Sequence, residues 1–376
     1  MPFCYSPWTN LDISPTGDIS PCCKFRHEHY TAPVFNIIDH SIGDYLGSAV
    51  LQQIKQEFAA GKWPAGCERC RIEEQAGIDS KRQLDHQRWH THYDNYDRES
   101  QEFLTASVGF GNICNLACIT CGPQSSSRWQ QEHKKIYNID IRPNHFYKTG
   151  FVEEFVAQAP GLIHIDIPGG EPLLSGVAQQ KQLLSAYVAS GQSANMTLHY
   201  TTNATLFPDE SWWALWDNFA EIDLQISMDG IGNRYEYIRY PAVWTDVVNN
   251  IHRYQDYQSA KHNLRLSVSH TVSAYNILYL DEFFTWCQDQ NLPTPWCGRV
   301  HNPAHMRPTV WPDPARQYIV DHLKNSHHPD ILAWINLLST TDDSIMFNEF
   351  QQRLVQHDQY RALDFKITFP ELAKYL

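Results

Sequence analysis

The chain has 376 residues, with 29 Lys+Arg against 42 Asp+Glu and a net charge of −13 with His neutral. That balance excludes a polycationic nucleic-acid or membrane coat as the main mode of action. A hydrophobic content of 42% with 19% charged residues is that of a globular protein, and no apolar run of about 18 residues is present to span a bilayer.

The start, Met1-Pro2-Phe3-Cys4, has neither the basic beginning nor the apolar stretch of a secretory leader, so the expected location is the cytoplasm. Thiols stay reduced there, and ten cysteines in such a compartment point to metal or redox chemistry rather than disulfides. Eight of the ten fall within the first 121 residues, which scattered core cysteines would not do.

Residues 1–103 read as a small cysteine-anchored module. Asp12, Ser14, Thr16, Gly17 and Asp18 are turn-rich. Leu46, Val50, Leu51, Ile54 and Phe58 repeat at helical spacing over 44–60, and 68–90 is charged and helical in pattern. Residues 86–99, rich in His, Tyr, Asp and Arg, read as a solvated linker. Cys4 and Cys22, with Cys67 and Cys70, form two pairs from separate loops and so a four-ligand site. Spacing alone leaves zinc and iron–sulfur both open. Cys23 is a spare thiol, either a buried small side chain or a replacement for Cys22.

From residue 104 short apolar runs alternate with amphipathic stretches. The strands predicted are Thr105–Phe110, Leu162–Ile167, Met196–Thr201, Ile222–Ser227, Leu264–Val272 and Thr294–Val300, with helices such as Phe151–Ala159, Ala178–Ser190 and Thr245–Tyr257 between them. Such alternation predicts an α/β fold with a parallel sheet and right-handed crossovers. Six units over 104–300 make a partial (β/α)6 TIM-like barrel, whose working loops follow the C-terminal ends of the strands. Trp212, Trp213 and Trp216 sit at helical spacing and pack a helix onto it. Over 301–376, Pro303, Pro308, Pro312 and Pro314 break regular structure; helices over Pro314–Lys324, Asp330–Leu338 and Met346–Gln356 then form a helical C-terminal cap.

The strand ends carry the chemistry. After the first comes Cys114-x3-Cys118-x2-Cys121. Three thiolates hold three corners of a [4Fe–4S] cube and leave the fourth iron open, whereas structural zinc takes four ligands. After the second comes Gly169-Gly170-Glu171-Pro172, where glycine permits unusual φ and close approach of a ligand, or simply a tight turn. Asn203 ends the third strand, and Ser227-Met228-Asp229-Gly230 the fourth; each is a polar contact or a turn. Arg239 follows, able to hold a carboxylate through two parallel bonds. Cys297, near the end of the sixth strand, and Cys287, on the preceding helix, are candidate hydrogen donors or buried structural thiols.

Together these residues resemble the radical SAM superfamily over about 100–300. Cys4, Gly17 and Cys22 give Cys-x12-Gly-x4-Cys, similar to the auxiliary-cluster module of the SPASM/twitch subfamily, here placed before the barrel rather than after it. Thr120 stands where the superfamily usually has an aromatic residue.

The resemblance implies that Cys114, Cys118 and Cys121 hold a [4Fe–4S] cluster whose open iron binds S-adenosylmethionine. Gly169, Gly170, Glu171 and Pro172 would face its amino group, Asn203, Ser227 and Asp229 its ribose or methionine, and Arg239 its carboxylate. Reductive cleavage would yield a 5′-deoxyadenosyl radical that takes a hydrogen atom from a substrate. One auxiliary [4Fe–4S] cluster on Cys4, Cys22, Cys67 and Cys70 would accept an electron, giving dehydrogenation or crosslinking; reduced flavodoxin or ferredoxin would be the donor. The substrate expected is a small molecule, an amino sugar, a nucleotide-linked compound or a peptide, with no membrane or nucleic-acid partner. If the substrate radical is instead quenched, with Cys297 as hydrogen donor and zinc or a structural cluster in the N-terminal module, the outcome is epimerisation or isomerisation. A non-enzymatic metal-binding scaffold would leave the strand-end motifs unexplained.

Overall fold

The computed structural model describes residues 2–31, 34–75, 79–100, 102–141, 144–261 and 263–376. Its strands are β1 (Asn10–Ile13), β2 (Ile19–Ser20), β3 (Thr105–Val108), β4 (His164–Ile167), β5 (Thr197–Thr202), β6 (Glu221–Ser227), β7 (Leu264–Val272) and β8 (Trp296–Arg299). They run in the order β2-β1-β3-β4-β5-β6-β7-β8. From β3 onward spatial order equals chain order, with helices between consecutive strands. β3, β4 and β5 pair in parallel, as do β7 and β8. Right-handed crossovers between neighbours taken in sequence put the helices on one face and leave the other face inward, as in a barrel. The six predicted strands are therefore all present, and the partial (β/α)6 barrel is borne out.

The N-terminal segment differs from its reading as turns. Leu11, Ile13 and Ile19 are fully buried and alternate with polar residues, so the chain forms a hairpin turning at Ser14–Asp18, where Gly17 takes φ +89°. Its first strand, β1, pairs in parallel with β3 and so extends the sheet. The stretch read as a linker is largely helix, Lys81–Tyr93, opened by a Ser80–Gln83 capping box. Buried Tyr93 holds it by stacking on Tyr5, ring centroids 4.3 Å apart. The 44–60 helix is two helices, Ile42–Leu46 and Ala49–Ala59, the second capped by Ser48.

By contacts the chain divides into two units. The first comprises Met1–Asn112, Asn144–Tyr200 and Pro208–Ile222. In it Leu11, Ile13, Val108, Ile165, Leu198 and Tyr200 form the apolar face of the sheet. Tyr200 packs on Trp212 and Trp216 of the helix Glu210–Trp216. The second comprises Ile113–Pro143, Thr201–Phe207 and Asp223–Leu376. Its core joins Val272 and Tyr275 to Val310, Trp311, Phe350 and Phe365, so residues 301–376 share the core of the later strands. Full burial of an apolar side chain such as Val or Phe contributes about 1.5–3 kcal/mol. Among the described residues no helix is long and apolar enough to cross a membrane.

Candidate metal centres

In the second unit, the three-cysteine loop is built by main-chain anchoring. Ala117 N donates to Tyr240 O and Ile119 N to Ile238 O, both at 2.7 Å. Cys121 N donates to Cys118 O at 2.9 Å, a turn that brings those two thiols together. The loop carbonyls are taken as well: Leu116 O by Ser126 Oγ at 2.6 Å, Ala117 O by Arg361 Nη2 at 2.8 Å and Cys118 O by Trp129 Nε1 at 2.9 Å. Arg361 is fixed by Glu132 at 3.1 Å, and Glu132 also meets His357 Nδ1 at 2.6 Å. The loop is thus held rigidly and its thiols are left for chemistry.

Donors point at the sulfurs. Asn203 Nδ2 lies 3.9 Å from Cys114 Sγ and Arg239 Nη1 lies 3.8 Å from Cys118 Sγ. Burial pushes the Cys118 thiol up to about 12 and Cys121 to about 11. The neighbouring thiols push the same way and Arg239 pulls both down. Cys118 and Cys121, both kept protonated by burial, together with Cys114 on the same loop are a donor set that a cationic iron centre would complete.

Asp229, fully buried, meets Arg239 Nη2 at 2.9 Å and accepts from Thr271 N at 2.7 Å. Arg239 Nε is buried without an acceptor among the described residues, which fits an anionic ligand group beside the loop. Asn203 donates to Asn115 Oδ1 at 3.0 Å and accepts from Thr205 N at 2.9 Å, so it closes a turn as well as facing Cys114. Ser227 ends β6, half-buried. Neither Asn115 nor Thr205 was singled out by the sequence reading.

Cys297 lies on β8 (Trp296–Arg299). It is in register with His270 of β7, and paired residues of a parallel sheet project to the same face. His270 packs on Phe283 of the helix Leu280–Asp289, centroids 4.3 Å apart. Cys297 therefore faces that helix, whose Cys287 is buried beside it. Burial pushes both thiols up to about 12.

In the first unit, the turn after β4 is glycine-dependent. Gly169 takes φ +153°, and a Cβ there would stand 2.6 Å from Gly111 O. Gly170 N donates to that same carbonyl at 3.2 Å. Glu171 is fully buried, accepting from Leu173 N at 3.3 Å, and Pro172 O accepts from Gln180 Nε2 at 2.7 Å.

The same unit gathers Cys4, Cys22, Cys67 and Cys70 around one small cavity, with Phe25, Phe58, Lys81 and Arg82 in its wall. Cys23 is exposed and outside that wall. Gly66 is required beside Cys67, since a Cβ would stand 2.4 Å from the Phe25 ring. Burial pushes the Cys4, Cys22 and Cys67 thiols up, the other thiols add to this, and Lys81 draws Cys22 down. Among the described residues no group of three or more His, Cys, Asp or Glu side chains is drawn together as a single-ion site. Four thiols around one cavity with two cations in its wall are a donor set for an iron–sulfur cluster or for zinc.

Comparison with known proteins bears on this part of the chain. Residues 4–71 match the model of the SPASM iron-sulfur cluster-binding domain, so the N-terminal SPASM-like module is borne out. No curated protein matches the chain. Among solved structures, native anSMEcpe with bound AdoMet is similar at 17% identity over 53% of each chain, TM-score 0.42. Streptococcus suis SuiB bound to S-adenosylmethionine is similar at 12% identity over 78% of this chain and 62% of that one, TM-score 0.39. TYW1 with a lysine-pyruvate adduct is similar at 15% over 64% and 81%, TM-score 0.33. The chain spans about half the length of the first of these.

Proposed function

We propose that the protein is a radical SAM enzyme with one auxiliary cluster, carrying out a net oxidation of its substrate. The observation that carries this reading is the anchored loop of Cys114, Cys118 and Cys121 with Asn203 and Arg239 donating toward two of its sulfurs. Cys114, Cys118 and Cys121 would hold a [4Fe–4S] cluster with one iron open to S-adenosylmethionine, which would supply radical hydrogen-abstraction chemistry. Arg239, already steadied by Asp229, keeps a buried N–H for the cofactor's carboxylate. Asn203 and Ser227 offer polar contacts at the ends of successive strands. The resemblance gives the turn Gly169–Pro172 to the ammonium group. Cys4, Cys22, Cys67 and Cys70 hold the auxiliary cluster, with all four ligands from the chain, which suits electron transfer better than substrate ligation.

The test is release of 5′-deoxyadenosine from S-adenosylmethionine by the iron-loaded chain under dithionite. Release that disappears in the Cys114→Ala/Cys118→Ala/Cys121→Ala variant is expected. Its absence from the native chain, with both clusters loaded, overturns the reading.

A further inference from the structure

In the second unit β6, β7 and β8 end at Ser227, Val272 and Arg299. Arg299 is in register with Val272. The residue before Val272, Thr271, gives its N–H to Asp229, which in turn holds Arg239. Neighbouring strands lie about 4.8 Å apart, so Arg299 stands at the sheet end that carries the Asp229–Arg239 pair. Val300, the next residue, is buried in one core with Ile119 of the cysteine loop, Val310 and Trp311.

Beside this strand end lies a cavity of about 180 Å³, with Arg299, His301, Arg307, Thr309, Thr341 and Asp343 in its wall. The wall is fixed by its own bonds. Arg307 donates from Nε to His301 O and from Nη1 to Asp343 Oδ1, both at 2.8 Å. Thr309 Oγ1 donates to the other oxygen of Asp343, and Asp343 N donates to Thr309 O at 3.2 Å. Arg316 Nη1 holds Thr341 O at 3.1 Å. Both carboxylate oxygens of Asp343 are thus taken. Arg299 differs: it is half-buried in the wall and has no ion pair or side-chain hydrogen bond among the described residues.

A structural role accounts poorly for such a group, since a guanidinium drawn partly out of water with no partner is a cost to the fold. Arg299 and Arg307 carry +2 in the wall and Asp343 carries −1, which leaves one positive charge over. The chain as a whole stands at −13, so this excess is local. A guanidinium fork matches a carboxylate through two parallel bonds. One excess charge suits a monoanion, whereas a phosphate dianion would be repelled by Asp343. Thr341 adds a hydroxyl in the same wall.

We propose that this cavity binds a carboxylate of the substrate, with Arg299 as its anchor. The proposal rests on the radical SAM reading above, which puts the reaction at this sheet end. Arg299 projects to the face of Val272, not to that of Thr271. The cavity therefore holds a part of the substrate away from its reacting carbon, and a remote group bound in this way positions the reacting one. The substrate class selected is a carboxylic acid.

The test has two readouts on the full chain. In the first, modification of Arg299 by phenylglyoxal is followed by peptide mass spectrometry, with exposed Arg265 as reference. Acetate is expected to slow modification of Arg299 severalfold and to leave Arg265 unchanged. Equal rates with and without acetate, or stronger protection by inorganic phosphate, overturn the proposal. In the second, 13C-labelled acetate is added to the iron-loaded, dithionite-reduced chain. Broadening of its carboxylate resonance by the paramagnetic loop cluster is expected, lost in Arg299→Gln and in the Cys114→Ala/Cys118→Ala/Cys121→Ala variant. Broadening that persists in Arg299→Gln, or none with the loop cluster loaded, overturns the proposal. If the loop takes up no iron, the radical SAM reading fails instead, and the modification rates alone decide for the carboxylate site. Arg299→Gln breaks no ion pair and should melt with the parent, so its loss of broadening reports the site rather than the fold.

Discussion

Arg239 is the residue on which the second unit's chemistry turns. It is 8% exposed, lies against fully buried Asp229 and draws down the Cys118 thiol that burial has pushed up to about 12. Removing one member of a buried ion pair leaves the other uncompensated, at a cost of about 3–5 kcal/mol. Arg239→Gln is therefore expected to lower the melting temperature. Its iron uptake at the three-cysteine loop should also shift to higher pH, where thiols ionise without help. Adding Asp229→Asn should restore melting but not the pH range of iron uptake. Melting curves and iron per chain between pH 7 and pH 9 check this, and full iron uptake at pH 7 in the double variant would contradict it.

At the scale of elements, the cysteine loop depends on a helix more than 200 residues away in the chain. Arg361, on the helix Phe347–Arg361, ties Glu132 to the carbonyl of Ala117. Arg361→Ala should leave Glu132 with His357 alone, cost about 3 kcal/mol, and loosen the loop. Iron should fall toward that of the N-terminal site while helical circular dichroism is kept; unchanged iron with unchanged melting would remove the element-level account. This coupling was not legible in the sequence, because Glu132, His357 and Arg361 have no local signature and meet only through tertiary packing. The cysteines were legible for the opposite reason: a ligand set borne on one loop needs fixed spacing. Strand ends were legible from apolar runs, and Arg239 and Asp229 from their place after β6. The face that Cys297 presents depends on its register with His270. Register between distant strands is not written in either strand alone. The hairpin β1–β2 hid behind its turn residues, although Leu11, Ile13 and Ile19 alternate with polar neighbours.

At the scale of the molecule, two cysteine sets occupy two separate units, each with its own anchoring. Cys4, Cys22, Cys67 and Cys70 line a cavity in one unit; Cys114, Cys118 and Cys121 crowd a clamped loop in the other. The account's central claim is that both hold iron–sulfur clusters and that only the second leaves an iron open. The most direct measurement is iron, sulfide and zinc per chain after anaerobic reconstitution, on the native protein and on the Cys114→Ala/Cys118→Ala/Cys121→Ala variant. The account predicts about 8 iron falling to about 4, with no zinc. About 4 iron and one zinc in the native chain would contradict the auxiliary cluster, and no iron at all would contradict the whole reading.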